Sequence, residues 1–146
     1  MHITEEKLRD ILKKSGLVDD TVFQSAKDES LRSGQTIVNV LIGGGVIPED
    51  YVGELFQSYF GVKVIDLKKV SINSDILELV SEAYAKSKNL VLFEFIPASG
   101  GKTAVAKVAM LDPIDYDTID FLRTKLNAWV EPYLTTLSSL KYGLKQ

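Results

Sequence analysis

The first sixty residues read twice. Shifting the chain against itself by 29 residues lays Leu8, Ile11 and Leu12 on Ile37, Val40 and Leu41, and then Gly16-Leu17-Val18 on Gly45-Val46-Ile47. The agreement continues with Asp19-Asp20 on Pro48-Glu49 and with Phe23 on Val52. A self-similar period of this length marks a supersecondary unit that buries its apolar stripe only against a neighbour. Each copy runs helix, glycine stop, apolar pair, helix start, helix, so two tandem helix hairpins are predicted over residues 1–60.

Local chemistry supports that order. Thr4 is placed to cap a first helix whose opening turn carries Glu5 and Glu6, acids that the positive helix N-terminus favours, and Gly16 ends it. Asp19 opens a second helix that runs to Ser33-Gly34. In the second copy Gly43-Gly44-Gly45 stops the helix, and Pro48 suits the first position of the next, which closes near Gly61. Tyr51, Phe56, Tyr59 and Phe60 then gather on this last helix at core-like spacing.

After Gly61 the periodicity changes, and residues 61–146 read as a small α/β portion. Val62 to Leu67 predicts a short strand, and residues 74–86 a helix. Asn89 to Ile96 and Lys102 to Met110 are β-prone runs joined by Pro97-Ala98-Ser99-Gly100-Gly101, a β-hairpin. Asp112-Pro113 predicts a helix start whose stripe is Ile119, Leu122 and Leu126. Trp129 to Thr136 returns as a strand, at an edge or broken, because Pro132 lacks a ladder donor. From Ser138 to Gln146 a final helix begins and stops without a cap, which reads as a chain cut short. The fold class expected is α+β.

Several function classes fall to composition. The chain has no cysteine, which removes disulfides, thiolate zinc sites and cysteine nucleophiles. Its net charge is -3 and its basic residues come at most in pairs, which argues against nucleic acid. Ile37 to Ile47 is the longest nearly apolar run and falls short of the roughly 20 residues that span a bilayer. The start lacks a secretory signal, so the expected location is the cytoplasm.

Sequence motifs with catalytic or ligand chemistry are few. Gly100-Gly101-Lys102-Thr103 imitates the end of a phosphate-binding loop, but Ile96 stands where its first glycine belongs and the motif leads from strand to strand. Asp112, Asp115, Asp117 and Asp120 lack the glycine and closing glutamate of a calcium loop and read as caps and a solvated face. His2 is the one histidine, at the terminus, where disorder is the expectation, and a serine triad has no other base to use. No catalytic residue, metal site or cofactor is expected. Lys7 and Arg9, near the start of the first helix, have the option of contacting an anion, although basic residues exposed on a helix are usually just solvated.

The combined pattern resembles the N-terminal domain of type II secretion and type IV pilus assembly ATPases over nearly the whole chain. Leu8-x-x-x-Leu12-x-x-x-Gly16-Leu17-Val18 and Ser33-Gly34-Gln35 carry the likeness at the front. Phe60-Gly61-Val62-x-Val64-x-Asp66-Leu67 and Met110-Leu111-Asp112-Pro113-Ile114-Asp115 carry it further on. The resemblance implies a non-catalytic docking or regulatory module. Its partners would be its own ATPase motor and cytoplasmic parts of inner-membrane platform proteins, with recruitment to the inner face of that membrane. A subgroup of the family binds cyclic di-GMP through two motifs that begin Arg-Leu-Gly and end in glutamine. Here the first reads Lys7-Leu8-Arg9 and ends at Ser30, and the second reads Thr36-Ile37-Val38 and ends at Tyr59. On that alternative the contacts would fall on Lys7, Leu8, Arg9, Ile37 and Tyr59, and the departures imply weak or absent binding. The isolated chain is expected to be a monomer.

Overall fold

The computed structural model describes residues 3–146, which form two compact units, Ile3–Tyr59 and Phe60–Gln146. His2 lies outside the described residues. The front unit holds α1 (Glu5–Lys14), α2 (Asp20–Ser33), α3 (Ile37–Gly43), a 3-10 turn at Glu49–Tyr51 and α4 (Val52–Phe60). Thr4 caps α1 by accepting from Lys7 N at 3.2 Å, and Asp19 caps α2 by accepting from Val22 N at 2.8 Å. Three pairs of equivalent residues are buried alike, Leu12 with Leu41, Val18 with Ile47 and Phe23 with Val52, whereas Leu8 is buried and its equivalent Ile37 only half-buried.

The two copies are not identical. Thr36 caps α3, its hydroxyl accepting from Asn39 N at 3.1 Å, so that helix begins one turn later than α1 does. Pro48 sits in extended backbone one place before the 3-10 turn, as its cap, rather than at a first helical position. Two shallow grooves nevertheless obey the repeat. One is lined by Ser15 and Leu17 together with Asp50, Tyr51 and Glu54. The other is lined by Gly44 and Val46 together with Thr21, Val22 and Ser25. Each groove joins the turn of one copy to the second helix of the other, so the copies face one another reciprocally.

The rear unit contains a 3-10 turn at Leu67–Lys69, α5 (Ser74–Leu77), α6 (Glu82–Lys88), β1 (Leu90–Ile96), β2 (Val105–Met110), α7 (Tyr116–Leu126), β3 (Trp129–Leu134) and α8 (Leu137–Leu144). Strand order is β1-β2-β3, with β1 antiparallel and β3 parallel to β2, so the chain is an α+β protein with a mixed three-stranded sheet. The expected hairpin turns on Gly100 and Gly101, both at positive φ (55° and 80°), while Ser99 and Lys102 exchange backbone hydrogen bonds of 3.2 and 2.9 Å. Both central residues at positive φ suit a two-residue turn that matches strand twist. Phe93 is an extra residue on β1, since the pairing jumps from Leu92 with Val108 to Glu94 with Lys107.

Four expectations for the rear unit need correction. The strand over Val62–Leu67 shrinks to a single bridge, Val64 with Leu134, because Asp66 turns the chain into the 3-10 turn by accepting from Lys68 N at 3.0 Å. The helix over 74–86 breaks in two, since the Ser81 hydroxyl caps α6 from Tyr84 N and Val80 turns into the core. At the front of α7 the cap is Asp115, not Asp112. Its carboxylate takes both the amide and the hydroxyl of Thr118, at 3.3 and 2.7 Å, a two-point grip that outcompetes the earlier aspartate. The last helix starts at Leu137 behind the cap Thr136.

Pro132 is accommodated as the edge reading requires. Trp129 and Thr135 donate inward, to Ala104 and Met110, whereas Leu134 donates outward to Lys63. Pro132 shares the parity of Leu134, so its missing N–H points away from β2.

Both faces of the sheet are covered, unequally. Ala106, Val108, Met110, Leu92 and Val130 pack beneath Ile119 and Leu122 of α7 and Ala85 of α6. On the opposite face Val91, Ala109 and Tyr133 pack against Leu67, Ile72 and Leu140. A buried hydroxyl pair fastens α8 there: Thr135 Oγ1 donates to Ile65 O at 2.9 Å, lies 2.7 Å from Ser139 Oγ, and Leu67 N donates to Ser139 Oγ at 2.8 Å. Gln146 adds two ties, accepting from Ile72 N at 3.0 Å and donating to Val70 O at 3.1 Å.

Candidate functional site

Two surfaces carry the chemistry, one on each unit. At the start of α1 the five residues named from sequence part company. Lys7 is exposed, with its ammonium 5.9 Å from the centroid of the Tyr59 ring, so these two meet. Leu8 is buried in the core of the front unit. Arg9 turns inward, its guanidinium carbon 5.0 Å over the Phe23 ring and its Nε buried with no hydrogen-bond partner among the described residues. Ile37 is half-buried as the first residue of α3. The Ser30 hydroxyl donates to Gln35 O and closes the turn between α2 and α3.

The late start of α3 bears directly on this surface. Thr36 is the repeat equivalent of Lys7, and it is spent on capping. A copy that opens with a cap has no long side chain at that place, so the second copy does not duplicate the cation of the first.

The rear unit exposes half of a sheet face. Alternate residues on a strand share a face, so Val105 and Lys107 lie on the side of buried Ala109. Register then sets out three rows: Val91, Ala109 and Tyr133; Glu94, Lys107 and Glu131; and Ile96, Val105 and Trp129. Only the first row is covered by α8 and its neighbours. The second is a charged fence. Lys107 Nζ meets Glu94 at 2.9 Å, and the Tyr133 phenol donates to Glu131 at 3.0 Å. The hydrogen bond to Glu94 raises the Lys107 ammonium above the ordinary lysine value, and burial, assisted by Glu131, raises the Tyr133 phenol.

The third row is apolar and open, with Ile96 46% and Trp129 56% exposed. Arg123 braces the indole, its guanidinium carbon 4.2 Å over the ring while its Nη1 bonds Asp120 at 3.1 Å. Sequence reading missed this surface because its members stand far apart in the chain and meet only through register. The single signal was Trp129 itself, a large apolar residue opening an edge strand.

The remaining motifs resolve locally. Lys102 and Thr103 follow a tight turn between strands and open no helix. Among the described residues no group of three or more His, Cys, Asp or Glu side chains is placed to hold a metal ion, and no helix is long and apolar enough to cross a membrane.

Comparison with known proteins bears on the whole chain. The family model of the MshEN domain matches residues 60–146. The type IV pilus assembly ATPase PilB of Thermus thermophilus is 27% identical over 142 residues, which are 97% of this chain and 16% of that protein. Among solved structures, MshE with cdg superposes at a TM-score of 0.68 and 22% identity, covering 94% of this chain and 96% of the other. The N-terminal domain of XpsE superposes at 0.66 and 17% identity, covering 99% and 97%. These structural likenesses establish a shared fold.

Proposed function

Because the chain belongs to the MshEN domain family, we propose that it is a non-catalytic N-terminal docking and regulatory domain of a type IV pilus or type II secretion assembly ATPase. The observation that carries this reading is the alignment of 97% of the chain with 16% of a pilus assembly ATPase. A segment of that proportion leaves the motor to the rest of the protein. The open apolar row on the rear sheet supports docking, since contiguous exposed apolar surface beside polar residues marks interaction sites. The partners proposed are the protein's own motor and cytoplasmic parts of inner-membrane platform proteins, which would hold the domain at the cytoplasmic side of that membrane.

Calorimetric titration of the chain with purified cytoplasmic segments of platform proteins tests this. Saturable binding to one of them is the expected result. Absence of saturable binding to every pilus and secretion platform segment of the source organism, at two temperatures so that a vanishing enthalpy does not hide it, sinks the docking reading.

A second reading is a cyclic di-GMP sensor, favoured by the meeting of Lys7 with Tyr59 and by the fold shared with an MshE solved with cdg. Against it stand the inward turn of Arg9 and the capped start of α3. Backbone amide shifts during titration with cyclic di-GMP decide between them. Saturable changes at Lys7, Leu8, Arg9, Ile37 and Tyr59 establish the sensor, and an unchanged spectrum removes it.

A further inference from the structure

We propose that the open half of the rear sheet, Ile96, Val105 and Trp129 beside Glu94, Lys107 and Glu131, is the seat of a basic amphipathic helix from a partner protein. The inference rests on the docking reading and gives its site and the chemistry of its occupant.

Geometry selects a helix laid across the strands. Three strands spaced about 4.8 Å apart put the ends of the apolar row about 10 Å from each other. Seven residues of helix rise about 10.5 Å, so apolar side chains at i, i+3 or i+4, and i+7 meet Ile96, Val105 and Trp129 in turn. Rows two residues apart on a strand are separated by about 7 Å. A helix about 10 Å wide lying on the apolar row therefore brings one flank over the charged fence. The covered row on the same face already packs against a helix, through Leu140 of α8.

Charge selects a basic flank. The fence holds two carboxylates against one ammonium, and Lys107 is engaged by Glu94. Among the described residues Glu131 takes its hydrogen bond from the neutral phenol of Tyr133, while Lys107, which it also attracts, is bonded to Glu94. The chain as a whole is at -3, which favours approach of a cation further. The same excess disfavours two other occupants. A second copy would bring a like-charged fence, and an anionic lipid surface would meet carboxylates. Trp129 supplies the anchor, held in place before binding by the Arg123 guanidinium on its ring.

The chain contains one tryptophan, so its emission reports on this surface alone. The whole chain is titrated with an 18-residue amidated helical peptide carrying leucines at i, i+3, i+4 and i+7 and lysines along one flank, and with its twin in which glutamates replace the lysines. The basic peptide is expected to shift the emission to the blue with saturation, and the acidic twin to bind at least about 10-fold more weakly. The double variant Glu94→Gln/Glu131→Gln, which keeps the shapes and the tryptophan, is expected to lose about 10-fold for the basic peptide. Equal binding of the two peptides, or of the variant and the parent, overturns the proposal. A blue shift that grows with chain concentration alone makes the face a self-association surface, and one produced by anionic phosphatidylglycerol vesicles but not by the peptide makes it a lipid surface; either overturns it. Platform segments that bind without moving the Trp129 emission leave docking standing and remove this site.

Discussion

At Gly143 there is no room for a methyl group. A Cβ built there would fall 2.6 Å from Leu67 Cδ1, and Leu67 is fully buried, so its side chain must shift within a packed core. Gly143→Ala is expected to lower stability by about 1–3 kcal/mol through overpacking, read as an earlier urea midpoint with an unchanged slope. The charged fence makes a second prediction at this scale. Lys107 and Tyr133 both hold their protons more tightly folded than free. A group whose folded pKa is raised contributes stability that is complete below its unfolded value and is lost as pH rises through the folded one. With unfolded values of about 10 and 10.4, stability should fall above roughly pH 10, and Lys107→Met/Tyr133→Phe should flatten that fall in a series of urea midpoints from pH 9 to 11.5.

Elements show what a linear reading is able to see. Caps that bond three residues on, Thr4 to Lys7 and Asp19 to Val22, are local events, and both were legible. So was the hairpin, because two glycines in succession announce positive φ. Replacing Gly100 and Gly101 together with alanine should cost about 1–2 kcal/mol per residue, measured by thermal unfolding, whereas Lys102→Ala should leave stability unchanged within about 0.5 kcal/mol. The strand over Val62–Leu67 was over-read because its extended chain finds a partner only in Leu134 before Asp66 turns it away. Ser81 was under-read because one hydroxyl in a helical pattern looks like surface until the residue before it goes into the core. Of the two candidate surfaces, Lys7 and Tyr59 were named together only through the family resemblance, as positions of a cyclic di-GMP motif. The sheet row was not legible, since no spacing along the chain places Ile96 next to Val105 and Trp129.

At the scale of the whole molecule, the two apolar clusters described on the rear sheet draw their members from residues 65–144. A fragment of residues 60–146 is therefore expected to fold alone, with dispersed amide resonances and a cooperative thermal transition. A fragment that gives collapsed, undispersed spectra would show that the front unit completes its core.

The fastening of α8 also has a mechanical meaning. Its ties to the segment before α5 lie one behind another along the helix, the Gln146 amide at the outer end and the Ser139 hydroxyl deep inside. Force applied at Gln146 loads the outer tie first and reaches the inner one only after the outer has parted. Pulling on the chain from that end with optical tweezers is expected to give a small early extension before the main rupture, and Gln146→Ala should erase it. A helix tied in this order is expected to yield by unzipping, one hydrogen bond after another, rather than to part in a single step.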